Sequence, residues 1–169
     1  MNEQLRLDSK KYLDSLELYD LQDMSKVIVS RFQKNFDQIF ARPDQCKNVA
    51  LYEPMKGEVE VTLLKDDFAK MGAKLYFPNW KDQDDGMMTF GIEPKMLDLV
   101  IVPGLVFGLK GERVGRGQGY YDRYLPQCKK AVRVALTFDA LVYLSVDQNP
   151  WDQKMDFIVT EKRFIRCKS

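Results

Sequence analysis

Between Glu112 and Leu125 the chain reads ERVGRGQGYYDRYL. Gly115, Gly117 and Gly119 leave bare backbone N–H groups that can converge on an anion. Arg113 and Arg116 supply planar, fork-shaped donors suited to phosphate oxygens. A helix starting near Tyr120 adds its positive N-terminal end. Asp122, on the first turn of that helix, could hold a Mg²⁺ that bridges phosphates. The residues alone leave two readings open: a phosphate cradle, or a tight glycine turn with solvated arginines. The established nucleotide patterns G-x-x-x-x-G-K-[ST] and G-x-G-x-x-G do not occur.

The rest of the composition narrows the chemistry. The chain of 169 residues contains no histidine, which excludes Ser-His-Asp and Cys-His catalysis and any histidine-bound metal. Its 26 Lys and Arg balance 25 Asp and Glu, so no global field attracts nucleic acid, and anion recognition must be local. Cys46, Cys128 and Cys167 are odd in number and far apart, as expected in a reducing compartment. The charged N-terminal stretch lacks the apolar core of a signal peptide, and no apolar run is long enough to span a bilayer. The expectation is a cytoplasmic protein with neither nucleic acid nor membrane as partner.

The cradle needs a scaffold. Helices are expected over Glu3–Leu18 and Gln22–Phe40, the second carrying a core stripe of Ile28, Phe32, Phe36 and Phe40. Strands are expected at NVALYEP, at Lys74–Pro78, at Leu97–Val102, at Val132–Phe138 and over MDFIVTEKRFIR. VTLLKDDFAKMGA reads as a helix stopped by Gly72, KDQDDGMM as a polar loop, MTFGIEP as a short strand or hairpin arm, and YYDRYLPQCKK as a short helix limited by Pro126. After the helical start, strands alternate with helices. This pattern predicts one α/β domain over 1–169, a three-layer Rossmann-like arrangement with a mainly parallel central sheet and the N-terminal helices packed on it. The glycine loop then falls at the carboxyl edge of the sheet, where such folds bind ligands. Trp80 and Trp151 are expected to pack rather than to stack on a ligand. One of Tyr120 and Tyr121 is expected under the sheet and the other toward a ligand.

DLVIVPGLVFGLKGERVGRGQGYYDRYL, from Asp98 to Leu125, resembles the signature of the 5-formyltetrahydrofolate cyclo-ligase (5,10-methenyltetrahydrofolate synthetase) family. Further likeness lies at Leu5-Arg6, at GEVEVTLL (Gly57–Leu64), at FGIEP (Phe90–Pro94) and at WDQKMDFIVTE, so it spans nearly the whole chain. The resemblance implies ATP-dependent cyclisation of 5-formyltetrahydrofolate to 5,10-methenyltetrahydrofolate by a monomer, with Mg²⁺ accompanying ATP. It implies ATP contacts from Arg6, Arg113, Gly115, Arg116, Gly117, Gln118, Gly119, Tyr120 and Tyr121. Substrate contacts are implied for Leu51, Glu58, Arg116, Gly117, Gln118, Gly119 and Tyr120, with Arg113, Arg116 and Tyr120 catalytic. Asp122 and, by family position, Asp156 are implied as metal contacts. The chemistry asks for little acid–base machinery, in agreement with the absence of histidine.

The chain departs from the family pattern at four places. Asn2 stands where a lysine is usual, with Lys10 and Lys11 a helix turn or more away, and the segment before Phe90 is compressed. Leu141 and Trp151 stand where glutamine and histidine are usual. Two alternatives follow: a folate-binding or regulatory relative with weakened catalysis, or an enzyme acting on another phosphate ligand. Without the family likeness, Arg6 reads as an ion-pair partner of Glu3 or Asp8, and Glu58 as the start of the next helix.

Overall fold

Residues 1–79 and 87–167 are described by the computed structural model. Trp80 and the Lys81–Gly86 part of the expected polar loop lie outside the described residues. The chain opens with α1 (Asn2–Asp14), α2 (Leu18–Lys34) and α3 (Phe36–Ile39). It continues through β1 (Asn48–Ala50), α4 (Lys65–Lys70), β2 (Lys74–Tyr76) and β3 (Leu99–Ile101). Then come β4 (Val106–Gly108), β5 (Arg113–Val114), α5 (Tyr120–Tyr124), β6 (Val132–Leu136), β7 (Val142–Tyr143), β8 (Phe157–Val159) and β9 (Phe164–Arg166).

Six strands form the central sheet in the order β2-β1-β3-β6-β8-β9. All neighbours are parallel except β9, which returns antiparallel to β8. Alternation along the strands creates two cores. Leu99, Ile101, Val134, Leu136, Phe157 and Val159 face one side with Phe32, Phe36 and Phe68 of the N-terminal helices and α4. Val100, Ala135 and Ile158 face the other with Tyr121 and Tyr124 of the glycine-loop helix and Leu125 just after it. Both faces are covered, so the strands read as continuous apolar runs rather than as alternating ones. The three-layer α/β expectation is met.

Tertiary contacts trim the expected elements. The predicted helix through Phe40 breaks at Asn35, although its aromatic stripe stays in the core, with the Phe36 and Phe40 rings stacked at 6.2 Å. The α4 helix is preceded by a 3₁₀ turn, Val61–Leu64. MTFGIEP contributes one antiparallel bridge, Thr89 to Asn79, and a 3₁₀ turn at Pro94–Met96. The expected last strand is two strands: the Thr160 hydroxyl accepts the N–H groups of Lys162 and Arg163 and folds β9 back on β8. Sequence periodicity also missed a second sheet, β5-β4-β7, built of strands only two or three residues long.

The connections explain where a cleft opens. From β1 the chain crosses to β2 through α4, whose Phe68 packs on the first face. From β3 it crosses to β6 through α5, whose tyrosines pack on the second. The two crossovers leave adjacent strands on opposite faces, which parts their loops at the carboxyl ends of β1 and β3.

Asp98 fastens the opposite end of these strands. It accepts the N–H groups of Lys47 and Asn48 at 2.9 Å each and pairs with Lys130 at 2.6 Å. Burial pushes its carboxyl upward, but the Lys130 hydrogen bond and the two N–H donors outweigh it and hold the group below its ordinary value. Its contribution is complete above the unfolded value of about 3.9 and fades as pH falls through the lower folded value. Asp98→Asn should cost about 2 kcal/mol in urea unfolding at pH 7. The gap from wild type should narrow below about pH 4; an equal gap at pH 3 and pH 7 would contradict this account.

Candidate active site

Tyr52–Met55 and Glu58 follow β1, and Pro103 and Gly104 follow β3; together with the glycine loop and the first turns of α1 they line a cavity of about 960 Å³. It stands at the parting of the two crossovers. A second lining segment, Asn149–Asp152, comes from the loop before β8.

Arg113 is the deepest charge of the site. Its side chain is 4% exposed and pairs with Asp122 at 2.9 Å. A further guanidinium nitrogen donates to the Pro103 carbonyl at 3.1 Å, and the Tyr121 ring lies 5.7 Å away. A Cβ on Gly115 would sit 2.9 Å from this guanidinium. Gly115 therefore makes room for the arginine, whereas Gly117 serves another purpose. Gly117 has φ +104° with open space where a side chain would stand, so the backbone presents itself to the cavity. The α5 helix begins at Tyr120 as expected, but its five residues carry a small macrodipole. Anion attraction falls mainly to loop N–H groups and guanidinium ions.

Arg116 reaches across the cavity. Its Nη2 and Nε lie 3.1 and 3.3 Å from Glu58 Oε1, and the other Glu58 oxygen accepts the Met55 N–H at 2.8 Å. One carboxylate thus joins the β1 loop to the glycine loop. Arg6 is no ion-pair partner of its own helix: its Nε donates to the Gly115 carbonyl at 3.0 Å. Arg123 holds the Gln118 carbonyl at 3.0 Å, with the Tyr120 ring 5.4 Å away. Tyr121 is buried in the second core while Tyr120 is half-buried at the cavity wall. Burial pushes the Tyr121 and Tyr52 hydroxyls far up, so both stay protonated donors. Tyr52 donates to the Val59 carbonyl at 3.1 Å, and the buried Tyr121 hydroxyl has no partner among the described residues.

The structure gathers Arg6, Glu58, Arg113, Arg116, the Gly115–Gly119 loop, Tyr120, Tyr121 and Asp122 around one cavity. It does not bring Leu51 or Asp156 there. Leu51 is fully buried in the first core. Asp156 accepts the Arg133 N–H at 2.8 Å and lies outside the lining. Asp152 lines the cavity in its stead, beside Gln153, whose N–H leans on Asp122 Oδ1 at 3.4 Å. Among the family departures, Asn2 lines the cavity and donates to the Asp147 carbonyl at 3.0 Å, whereas Lys10 and Lys11 are exposed elsewhere. Leu141 is core. Trp151, expected to pack, is 66% exposed at the cavity wall.

Two carboxylates at the cavity suit a hard cation. Asp122 commits Oδ1 to Arg113, and Asp152 commits Oδ2 to the Asn149 N–H at 2.7 Å. Each keeps one oxygen without a hydrogen bond among the described residues. Among the described residues no cluster of three acidic or cysteine ligands forms. Such a pair fits Mg²⁺, which takes one or two carboxylates and completes its shell with phosphates and water.

Residues 91–161 match the sequence profile of the 5-formyltetrahydrofolate cyclo-ligase family. The chain is 33% identical over 162 residues to the 5-formyltetrahydrofolate cyclo-ligase of Mycoplasma genitalium, covering 90% of this chain and 96% of that protein. It is 31% identical to the enzyme of the same name from Mycoplasma pneumoniae, covering 73% of this chain and 79% of that one. The NMR structure of Aquifex aeolicus 5,10-methenyltetrahydrofolate synthetase superposes with a TM-score of 0.81 at 26% identity, over 99% of this chain and 93% of that one. The chain belongs to the 5-formyltetrahydrofolate cyclo-ligase family.

Proposed function

We propose that the protein converts 5-formyltetrahydrofolate and MgATP into 5,10-methenyltetrahydrofolate, ADP and phosphate. The observation that carries this reading is the Arg116–Glu58 bridge, which brings a phosphate-binding loop against a carboxylate-bearing loop in one cavity. The formyl oxygen attacks the γ-phosphorus and ADP leaves. N10 then attacks the activated formyl carbon and gives up its proton, and phosphate departs as the C–N double bond forms. Phosphate is the leaving group, so no strong acid or base is needed.

The chain's own residues position the reactants. The Gly115–Gly119 backbone cradles the phosphates. Arg116, half-exposed, swings its fork between Glu58 and the transferring phosphoryl group and balances the charge that develops there. Arg113 holds Asp122 in place and is a positioning residue: its two terminal nitrogens bond Pro103 and Asp122, and its buried Nε has no partner among the described residues. Glu58 accepts from the polar edge of the pterin once Arg116 turns to phosphate. Asp122 and Asp152 would hold Mg²⁺, which neutralises phosphate charge when bound. The reading takes the protein to act as a monomer. Among the described residues no helix is long and apolar enough to cross a membrane, and Cys46, Cys128 and Cys167 are free.

Near-ultraviolet absorbance of the methenyl product tests the reaction. Product should form only with ATP, and Arg116→Ala should lower kcat roughly 100-fold or more while the thermal midpoint holds. ATP-independent turnover, or full activity of the variant, would sink the reading. The metal assignment has its own comparison. Asp152→Asn should raise the Mg²⁺ concentration needed for half-maximal rate by about tenfold or more, whereas Asp156→Asn should leave it unchanged and cost about 1 kcal/mol of stability. The reverse pattern would return the metal role to Asp156.

A further inference from the structure

Trp151 is the largest side chain on the cavity wall that the proposed reaction does not yet use. Tryptophan is highly buried on average, yet this indole is 66% exposed and faces a cavity. Its backbone is held on both sides. The Asp152 N–H donates to the Asn149 carbonyl at 3.1 Å and closes a tight turn, and Asp152 Oδ2 accepts the Asn149 N–H at 2.7 Å. The Trp151 carbonyl accepts from the Gln153 side chain at 3.0 Å. A fixed turn that presents an uncovered indole to a cleft is a preformed flat surface.

Its place in the cavity indicates what would lie on it. The Asn2–Asp147 hydrogen bond ties the first turn of α1 to the loop that carries Trp151. Arg6 ties the same helix to the glycine loop. Asp122 and Asp152, the carboxylates facing phosphate and metal, stand beside this corner, and Gln153 links the turn to Asp122. Glu58, Met55 and Tyr52 line the β1 side. On the reaction proposed above, a triphosphate on the glycine loop, with Asp122 and Asp152 to hold Mg²⁺, would put its nucleoside at the Trp151 corner and leave the Glu58 side to the pterin.

We infer that Trp151 is a positioning residue for the co-substrate, stacking its indole on the purine ring of the nucleotide. This rests on the ATP-dependent reaction proposed above. Stacking uses the π-face that every base has, and its loss weakens binding without touching the phosphoryl group.

The chain has two tryptophans, so Trp80→Phe leaves Trp151 as the sole indole emitter. Titrating that variant with ADP and Mg²⁺ should quench its fluorescence, while magnesium tripolyphosphate, which lacks the ring, should not. In steady-state kinetics Trp151→Ala should raise KM for ATP roughly tenfold, a loss carried by KM rather than kcat, with KM for 5-formyltetrahydrofolate unmoved. Trp151→Phe should recover most of the loss. Equal quenching by tripolyphosphate, an unchanged KM for ATP, or a rise confined to the folate KM would each overturn the inference. A wild-type protein without ATP-dependent turnover would instead count against the reaction, and the ADP titration would still decide the stack by itself.

Discussion

A guanidinium sealed beneath a backbone loop organises this molecule. Arg113 comes from a two-residue strand of the small sheet, yet its donors reach the end of β3 at Pro103 and the first turn of α5 at Asp122. A buried charge is tolerable only when paired and hydrogen-bonded, and removing one partner of such a pair typically costs about 3–5 kcal/mol. Backbone around it gives way: a Cβ on Gly104 would sit 3.0 Å from the arginine's Cγ, and one on Gly115 2.9 Å from its guanidinium. The loop is therefore glycine-rich partly for what lies under it. What lies above it, at Gly117, is the open face left for a ligand.

The cavity in turn depends on burying the sheet on both sides. Helices packed on opposite faces make the β1 and β3 crossovers diverge, and the gap between their loops becomes the site. Fold and function share this constraint. The Tyr121 ring packs in the second core, while the same residue lines the cavity with a hydroxyl that has no partner among the described residues. Asp98 closes the far end of the same strands, so charge fastens both ends of a sheet whose middle is apolar.

Local chemistry was legible wherever the participants were close in the chain. Arg113 through Asp122 carry enough glycine, guanidinium and carboxylate for a phosphate cradle to be one of two readings that composition and spacing allow. Long-range partners were not legible from the residues alone. Glu58 meets Arg116 only because β1 and β3 are neighbours, and Glu58 by itself suits a helix start equally well. Leu51 was implied as a substrate contact by the family resemblance, but strand alternation turns its side chain into the first core. The antiparallel return at Thr160 depends on a hydroxyl accepting two N–H groups, a signal that apolar periodicity does not carry.

The sequence by itself determined the α/β class, the buried strands and the clustering of glycines, guanidinium groups and a carboxylate in one loop. Each follows from residues that act with near neighbours: apolar runs that must be covered, and bare N–H groups beside fixed charges. Tertiary structure decided which functional groups face one another. Asp152 and Asp156 are four residues apart and chemically alike, yet one turn closed on Asn149 leaves Asp152 at the cavity, while pairing beside β6 spends Asp156 on a backbone N–H. Trp151 is uncovered for the same reason. Side-chain direction in a loop is set by where its two ends are anchored, and those anchors belong to strands brought together only by folding.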